Sequence, residues 1–260
     1  MRLTRNRYVN ELALLAAGYL FYIGIKRLFV QDLEILAFEN ARKIINLELA
    51  LNLYWEQRIQ DWLLDNHHNV IVFFNWVYTL GFFPVLIPAA IILFLARYPT
   101  YVFYRNVFLI SYAMTWLVYL TFPTAPPRFM TEHGYIDTVE QLGPALYNST
   151  EALSYYNQFS AMPSMHFGWT QLFGILFIRS KYIPLKLFGL AYPALSLAAI
   201  VVTANHYILD AVIGGIIILT SFVIYLLLKN AALSPVSQSL PVLSRGSFRR
   251  RLRLLSVGRQ

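Results

Sequence analysis

Apolar residues run in long blocks along this chain, and six of the blocks approach the roughly 20 residues a helix needs to cross the hydrocarbon core of a bilayer. They cover 12–30, 70–96, 107–123, 165–178 with a little either side, 187–204 and 207–228. Lys26 and Arg27 interrupt the first block, where their long stems can snorkel to an interface. A cleaved signal peptide is the competing reading there, but no small-residue cleavage site precedes Lys26. The pattern predicts an all-α fold, a polytopic membrane helix bundle with six transmembrane helices.

Between the first two blocks the period changes. Over 37–64, Phe38, Ala41, Ile44, Ile45, Leu51, Tyr54, Trp55, Ile59 and Trp62 recur near helical spacing, with Glu48, Glu56 and Arg58 among them. This predicts an interfacial amphipathic helix lying on the outer membrane face. Pro193 and Gly214-Gly215 predict a kink and a close helix approach within the last two blocks. The connections are too short for a second domain, so 1–230 reads as one membrane-embedded domain and 231–260 as a basic tail. That tail either rests on anionic lipids or is a solvated signal that fixes topology.

Composition narrows the class. Apolar residues make up 58% of the chain and charged ones 13%, against about 25% charged in soluble domains, which excludes a disordered chain and weighs against a water-soluble enzyme. With no cysteine there is no disulfide, thiolate metal site or cysteine nucleophile. A formal charge of +8 in a soluble protein would point to nucleic acid, but here its distribution points to a membrane and to no nucleic-acid partner. With a cytoplasmic N-terminus, the inside segments hold fifteen of the 21 basic residues, and the outer segments 31–69 and 124–163 hold three and one. The positive-inside rule then places both termini in the cytoplasm of a plasma or inner membrane protein. The glycosylation sequon Asn148-Ser-Thr150 falls on the outer face.

Three separated segments bring polar residues to that same face: Phe122-Pro-Thr-Ala-Pro-Pro-Arg128, Ala161-Met-Pro-Ser-Met-His-Phe-Gly168 and Thr203-Ala-Asn-His-Tyr-Ile-Leu-Asp210. His206 and Asp210 are four apart and share one helix face. A carboxylate at one imidazole nitrogen fixes the tautomer and frees the other nitrogen to attack or accept a proton. The bland alternative is a capping aspartate beside an interfacial histidine. Ser164 fits a helix N-cap, and the helix start that carries His166 suits an anion. Arg128, the one basic residue of its loop, suits phosphate oxygens. Together these residues suggest phosphoryl transfer, with one histidine as nucleophile and the other as acid. A zinc site built from two His and an Asp is the chemical rival. His67 and His68 lie in another loop, and no HExxH pattern is present. His133 reads as solvated.

On these residues the chain resembles the type 2 phosphatidic acid phosphatase superfamily, and within it the branch of inositol phosphorylceramide synthases and their bacterial relatives. FPTAPPR, AMPSMH and NHYILD look like its three motifs, and NARKIINLELALNLYWE is similar to the stretch that precedes the second span in bacterial members. The resemblance implies that His206 forms a phosphohistidine, Asp210 orients it and His166 protonates the leaving oxygen, with no metal or other cofactor. It departs from the wider superfamily in having Thr121 in place of a lysine, and Ala199 and Ile200 in place of Ser-Arg. Phosphate binding then rests on Arg128, Ser164 and backbone N–H groups, with Thr203 and Arg58 as further candidates. The expected partner is a membrane lipid substrate, either hydrolysed or used to transfer its phosphoryl-linked group to a lipid alcohol. The alternative from another class is a lipid-binding or lipid-moving protein.

Overall fold

The structure is a computed structural model that describes residues 2–29, 33–144 and 158–233. The sequon, the tail beyond Leu233 and the side chains of Lys26 and Arg27 lie outside the described residues. Regular structure among the described residues is helical apart from one β-bridge. In chain order the helices are α1 (Arg2–Phe29), α2 (Glu34–Ala50), α3 (Glu56–Asn66), α4 (His68–Leu80), α5 (Phe83–Ala96), α6 (Tyr98–Thr121), α7 (Thr138–Leu142), α8 (Met165–Ile178), α9 (Ile183–Val202) and α10 (Ile208–Leu233). Contacts divide the chain into two units, 1–221 and 222–260. The described part of the second is helical.

A helix occupies each of the six apolar blocks. Three segments are long and apolar enough to cross a membrane: His68–Ala96, Ile183–Val202 and Ile208–Ala231. Two others fall short for local reasons: α6 carries five tyrosines and Arg105, and α8 has 14 residues, which rise only about 21 Å. The 70–96 block is two helices, α4 and α5, meeting at Gly81-Phe82 just before Pro84. The Tyr192 hydroxyl donates to the freed Gly81 carbonyl at 2.8 Å, so the break is internally satisfied.

The expected single amphipathic helix over 37–64 is likewise two. The chain leaves α2 at Leu51 and turns through Asn52, whose φ is 54°, the left-handed region that asparagine tolerates better than most residues. The burial also differs from the pattern. Ala37, Asn40, Ala41, Ile44, Ile45 and Glu48 form the buried stripe of α2, and Glu56, Gln60 and Leu63 that of α3, whereas Leu47, Leu51, Trp55 and Trp62 are exposed. The buried stripes thus mix apolar residues with carboxamides and carboxyls, and the exposed positions mix apolar residues with charged ones such as Glu39, Arg42, Lys43 and Asp61.

Those buried carboxamides hold the long connection after α6 in place. Asn40 donates to the Pro123 carbonyl at 2.9 Å, Gln60 exchanges two hydrogen bonds with the Ile136 backbone, each 3.0 Å, and Asn75 donates to the Thr138 carbonyl at 2.7 Å. Elsewhere small residues bring helices together. A Cβ on Gly174 would lie 2.7 Å from the Gly189 carbonyl oxygen, and one on Gly214 would lie 2.2 Å from that of Ser164. These contacts draw α8 against both α9 and α10.

Candidate active site

Backbone hydrogen bonds stitch the three polar segments together at one end of the bundle. Thr124 and Ser160 form the β-bridge, with Thr124 N–H donating to Phe159 at 2.9 Å and Ala161 N–H to Thr124 at 3.1 Å. Arg128 N–H donates to the Ala204 carbonyl at 2.8 Å, and Ser164 N–H to that of Asp210 at 2.9 Å. Ala204 has a φ of 52° and no exposure. This left-handed residue turns the chain sharply at the end of α9, and the N–H groups of Asn205 and His206 both return to Ile200.

His206 is 7% exposed and Asp210 fully buried. The Nδ1 of His206 lies 2.8 Å from the Ala161 carbonyl and 3.4 Å from Asp210 Oδ2. Both neighbours are acceptors, which assigns the proton to Nδ1 and leaves the Nε2 lone pair free. The nearer partner is a backbone carbonyl, which no sequence motif reveals. Asp210 sits on the first turn of α10, and its Oδ2 accepts the Tyr207 N–H at 3.0 Å, as the third residue of a capping box does. Its other oxygen is buried without a donor among the described residues.

His166 enters from the first turn of α8. Its ring stacks on Tyr78 with centroids 4.5 Å apart and lies 6.3 Å from the His206 ring. Ser164 is the N-cap, its Oγ accepting the Phe167 N–H at 3.4 Å. Among the described residues no acceptor takes up the N–H groups of Met165 and His166, so the N-terminus of α8 is open to an anion. Arg128 leaves a single 3-10 turn, Pro127–Phe129. Its guanidinium pairs with Asp137 at 3.1 Å and donates to the Asn205 side chain.

His166, His206, Arg128, Asn205 and Met165 all line one cavity of about 430 Å³, within the size range of small-molecule sites. Its remaining wall is mostly aromatic, including Tyr22, Tyr112, Trp116 and Trp169. Arg128 also borders a second cavity of about 540 Å³, whose mixed lining includes Glu34, Asp137, Glu140 and Phe159.

Two sequence candidates sit elsewhere. Arg58 is exposed on α3, away from the face that buries Glu56 and Gln60, because its neighbours along the buried stripe are at helical spacing and it is not. Thr203 is fully buried and does not line the 430 Å³ cavity. Its hydroxyl donates to Ala199 and accepts from Asn205 at 2.7 Å, so it reaches Arg128 only through Asn205. Asn205 and Asp137 are the site residues that sequence reasoning passed over. Asp137 carried a readable signal, an aspartate three residues before Glu140 that caps α7 through the Glu140 N–H.

Beneath the site lie two further acids. Glu48 Oε1 accepts the Leu209 N–H at 2.8 Å and Glu56 Oε1 the Ile208 N–H at 2.6 Å. Burial, then the neighbouring Glu56 charge, raise the Glu48 carboxyl to about 9, and burial also raises Glu56. Among the described residues no three His, Cys, Asp or Glu side chains gather where they could share a metal ion.

A family model described as the PAP2 superfamily matches residues 42–224. The chain belongs to the PAP2 superfamily. Membership in the PAP2 superfamily points to a phosphatase or phosphotransferase of lipid phosphates, and the matched span contains all three stitched segments. No curated protein and no solved structure matches the chain.

Proposed function

We propose that this PAP2 protein is a lipid phosphatase or phosphotransferase that works through a phosphohistidine on His206, without a metal. One observation carries the reading: Nδ1 of His206 is taken up by Ala161 and Asp210, while the same histidine, His166 and Arg128 line one cavity. In the first step Nε2 attacks phosphorus and the phosphorus–oxygen bond to the leaving group breaks. His166 gives its proton to the departing oxygen. In the second step water or an alcohol attacks the phosphohistidine, His166 takes back a proton, and the phosphorus–nitrogen bond breaks. Arg128 and the open amides of Met165 and His166 hold the non-bridging oxygens, and Ser164 fixes that helix start.

The aromatic wall fits a lipid donor, and the inositol phosphorylceramide synthase-like resemblance favours transfer of a head-group phosphate over hydrolysis. The six apolar blocks cross the membrane with both termini cytoplasmic and the site at the outer face. The bundle end opposite the site supports this orientation, since it gathers Arg7, Arg97 and Arg105.

The test is to supply the purified protein, in EDTA, with phosphorus-labelled phosphatidic acid, a polyprenyl diphosphate or phosphatidylinositol, with and without a lipid alcohol. Release of inorganic phosphate identifies hydrolysis, and label moving to the alcohol identifies transfer. Equal activity in wild type and His206→Ala overturns the catalytic reading. Turnover abolished by EDTA and restored by zinc overturns the metal-free mechanism.

A further inference from the structure

The proposed chemistry leaves the two buried acids, Glu48 and Glu56, without a role. Neither has any exposure, and neither lines the 430 Å³ cavity. Their Oε1 atoms take up two consecutive amides on the first turn of α10, Ile208 and Leu209, and Asp210 follows directly. Between Asp210, Glu56 and Glu48, three consecutive N–H groups from Tyr207 to Leu209 end on carboxyl oxygens. A helix N-terminus favours negative charge, but two adjacent carboxylates repel one another.

The second oxygens decide how the pair is held. Oε2 of each acid is buried and meets no donor among the described residues, and the two carboxyls are held side by side because their Oε1 atoms sit on adjacent amides. Two carboxylates offer each other only acceptors and repel, so a proton on one of them removes the repulsion and supplies the missing donor. The titratable groups facing the pair are Tyr54, between α2 and α3, Tyr135, in the connection before α7, and Tyr207 and Asp210 at the start of α10.

We propose that Glu48 and Glu56 share one proton and, as an acid–carboxylate pair, clamp the first turn of α10 so that His206 and Asp210 keep their attacking geometry. The proposal rests on the phosphohistidine reading of the site, and both acids are positioning residues. Loss of the shared proton to solvent leaves two negative oxygens facing each other and loosens the clamp, so kcat falls on the alkaline side.

The experiment uses the full chain in lipid nanodiscs and the variants Glu48→Gln, Glu56→Gln and the double variant, with the donor panel above. A single amide supplies an N–H where the shared proton sat. Each single variant therefore keeps kcat within about threefold at pH 7 and loses the alkaline fall. The double variant sets two NH₂ groups against each other, and kcat drops about tenfold or more with KM unchanged. Packing alone would not separate these variants, because glutamine is the same size as glutamate.

An infrared measurement reads the pair without turnover. The carbonyl stretch of a protonated carboxylic acid is expected in the wild type at pH 7, lost in both single variants, and titrated away as pH passes about 9. A band unchanged in both single variants overturns the proposal, as does a folded double variant that behaves like the singles. If the double variant does not fold, the band in the singles decides. A band that behaves as expected in a protein that turns over no donor keeps the pair and removes the enzymatic reading.

Discussion

At the end of the bundle away from the site, Glu11 of α1 is nearly buried and ion-paired with Arg105, and the hydroxyls of Tyr98 and Tyr101 also donate to it. At the site end, Glu48, Glu56 and Asp210 surround the start of α10, and one oxygen of each lacks a donor among the described residues. Arg128 there is divided between Asp137 and Asn205. The first cluster is closed, since its charge is matched before any ligand arrives. The second depends on a proton or a bound anion for its balance. Buried charge that is already satisfied serves the fold, and buried charge left open coincides with the proposed site.

The largest effect expected short of removing a histidine is at Arg128. Arg128→Lys keeps the charge but loses the fork that reaches Asp137 and Asn205, and kcat/KM should fall about 100-fold. Steady-state kinetics on the lipid panel check this. Gly214→Ala drives a Cβ into the Ser164 carbonyl, which lies 2.2 Å from the ideal position, and should cost about 2 kcal/mol of stability together with activity. A denaturation midpoint measured beside kcat reads both.

Stability should also depend on pH at the open end. A carboxyl raised from 4.5 to about 9 in the fold is protonated where the unfolded chain's is ionised. The folded state then binds more protons between those values, so stability falls as pH rises through that window, by at most about 1.4 kcal/mol per unit for one proton. Glu48→Gln should remove that slope in melting curves taken from pH 5 to 9. The smallest catalytic effect is expected at the closed end, where Glu11→Gln should lower the melting temperature and leave kcat within about twofold. A large kcat loss there would break the contrast between the two ends.

Much of this was legible in the sequence. Helices occupy all six apolar blocks, and the His-x-x-x-Asp, Pro-Ser-x-His and Pro-Pro-Arg segments contain the residues His206, His166 and Arg128 that line one cavity. Three features were not legible, each for a physical reason. The break after Leu51 has no proline or glycine to announce it, because asparagine adopts the left-handed turn. Glu48 and Glu56 read as interspersed polar positions of an amphipathic pattern, and only the position of the α10 N-terminus shows that they lie on the buried stripes. The Ala161 carbonyl that holds His206 is a backbone group, so its identity depends on the fold alone.

The most direct test of the central claim is a single-turnover reaction with phosphorus-labelled lipid, quenched in alkali, in which a phosphohistidine survives and an acyl phosphate does not. The expected result is an acid-labile label on the peptide carrying His206, absent in His206→Ala. Full turnover with no protein-bound label at any time point, or label on a different residue, would contradict it.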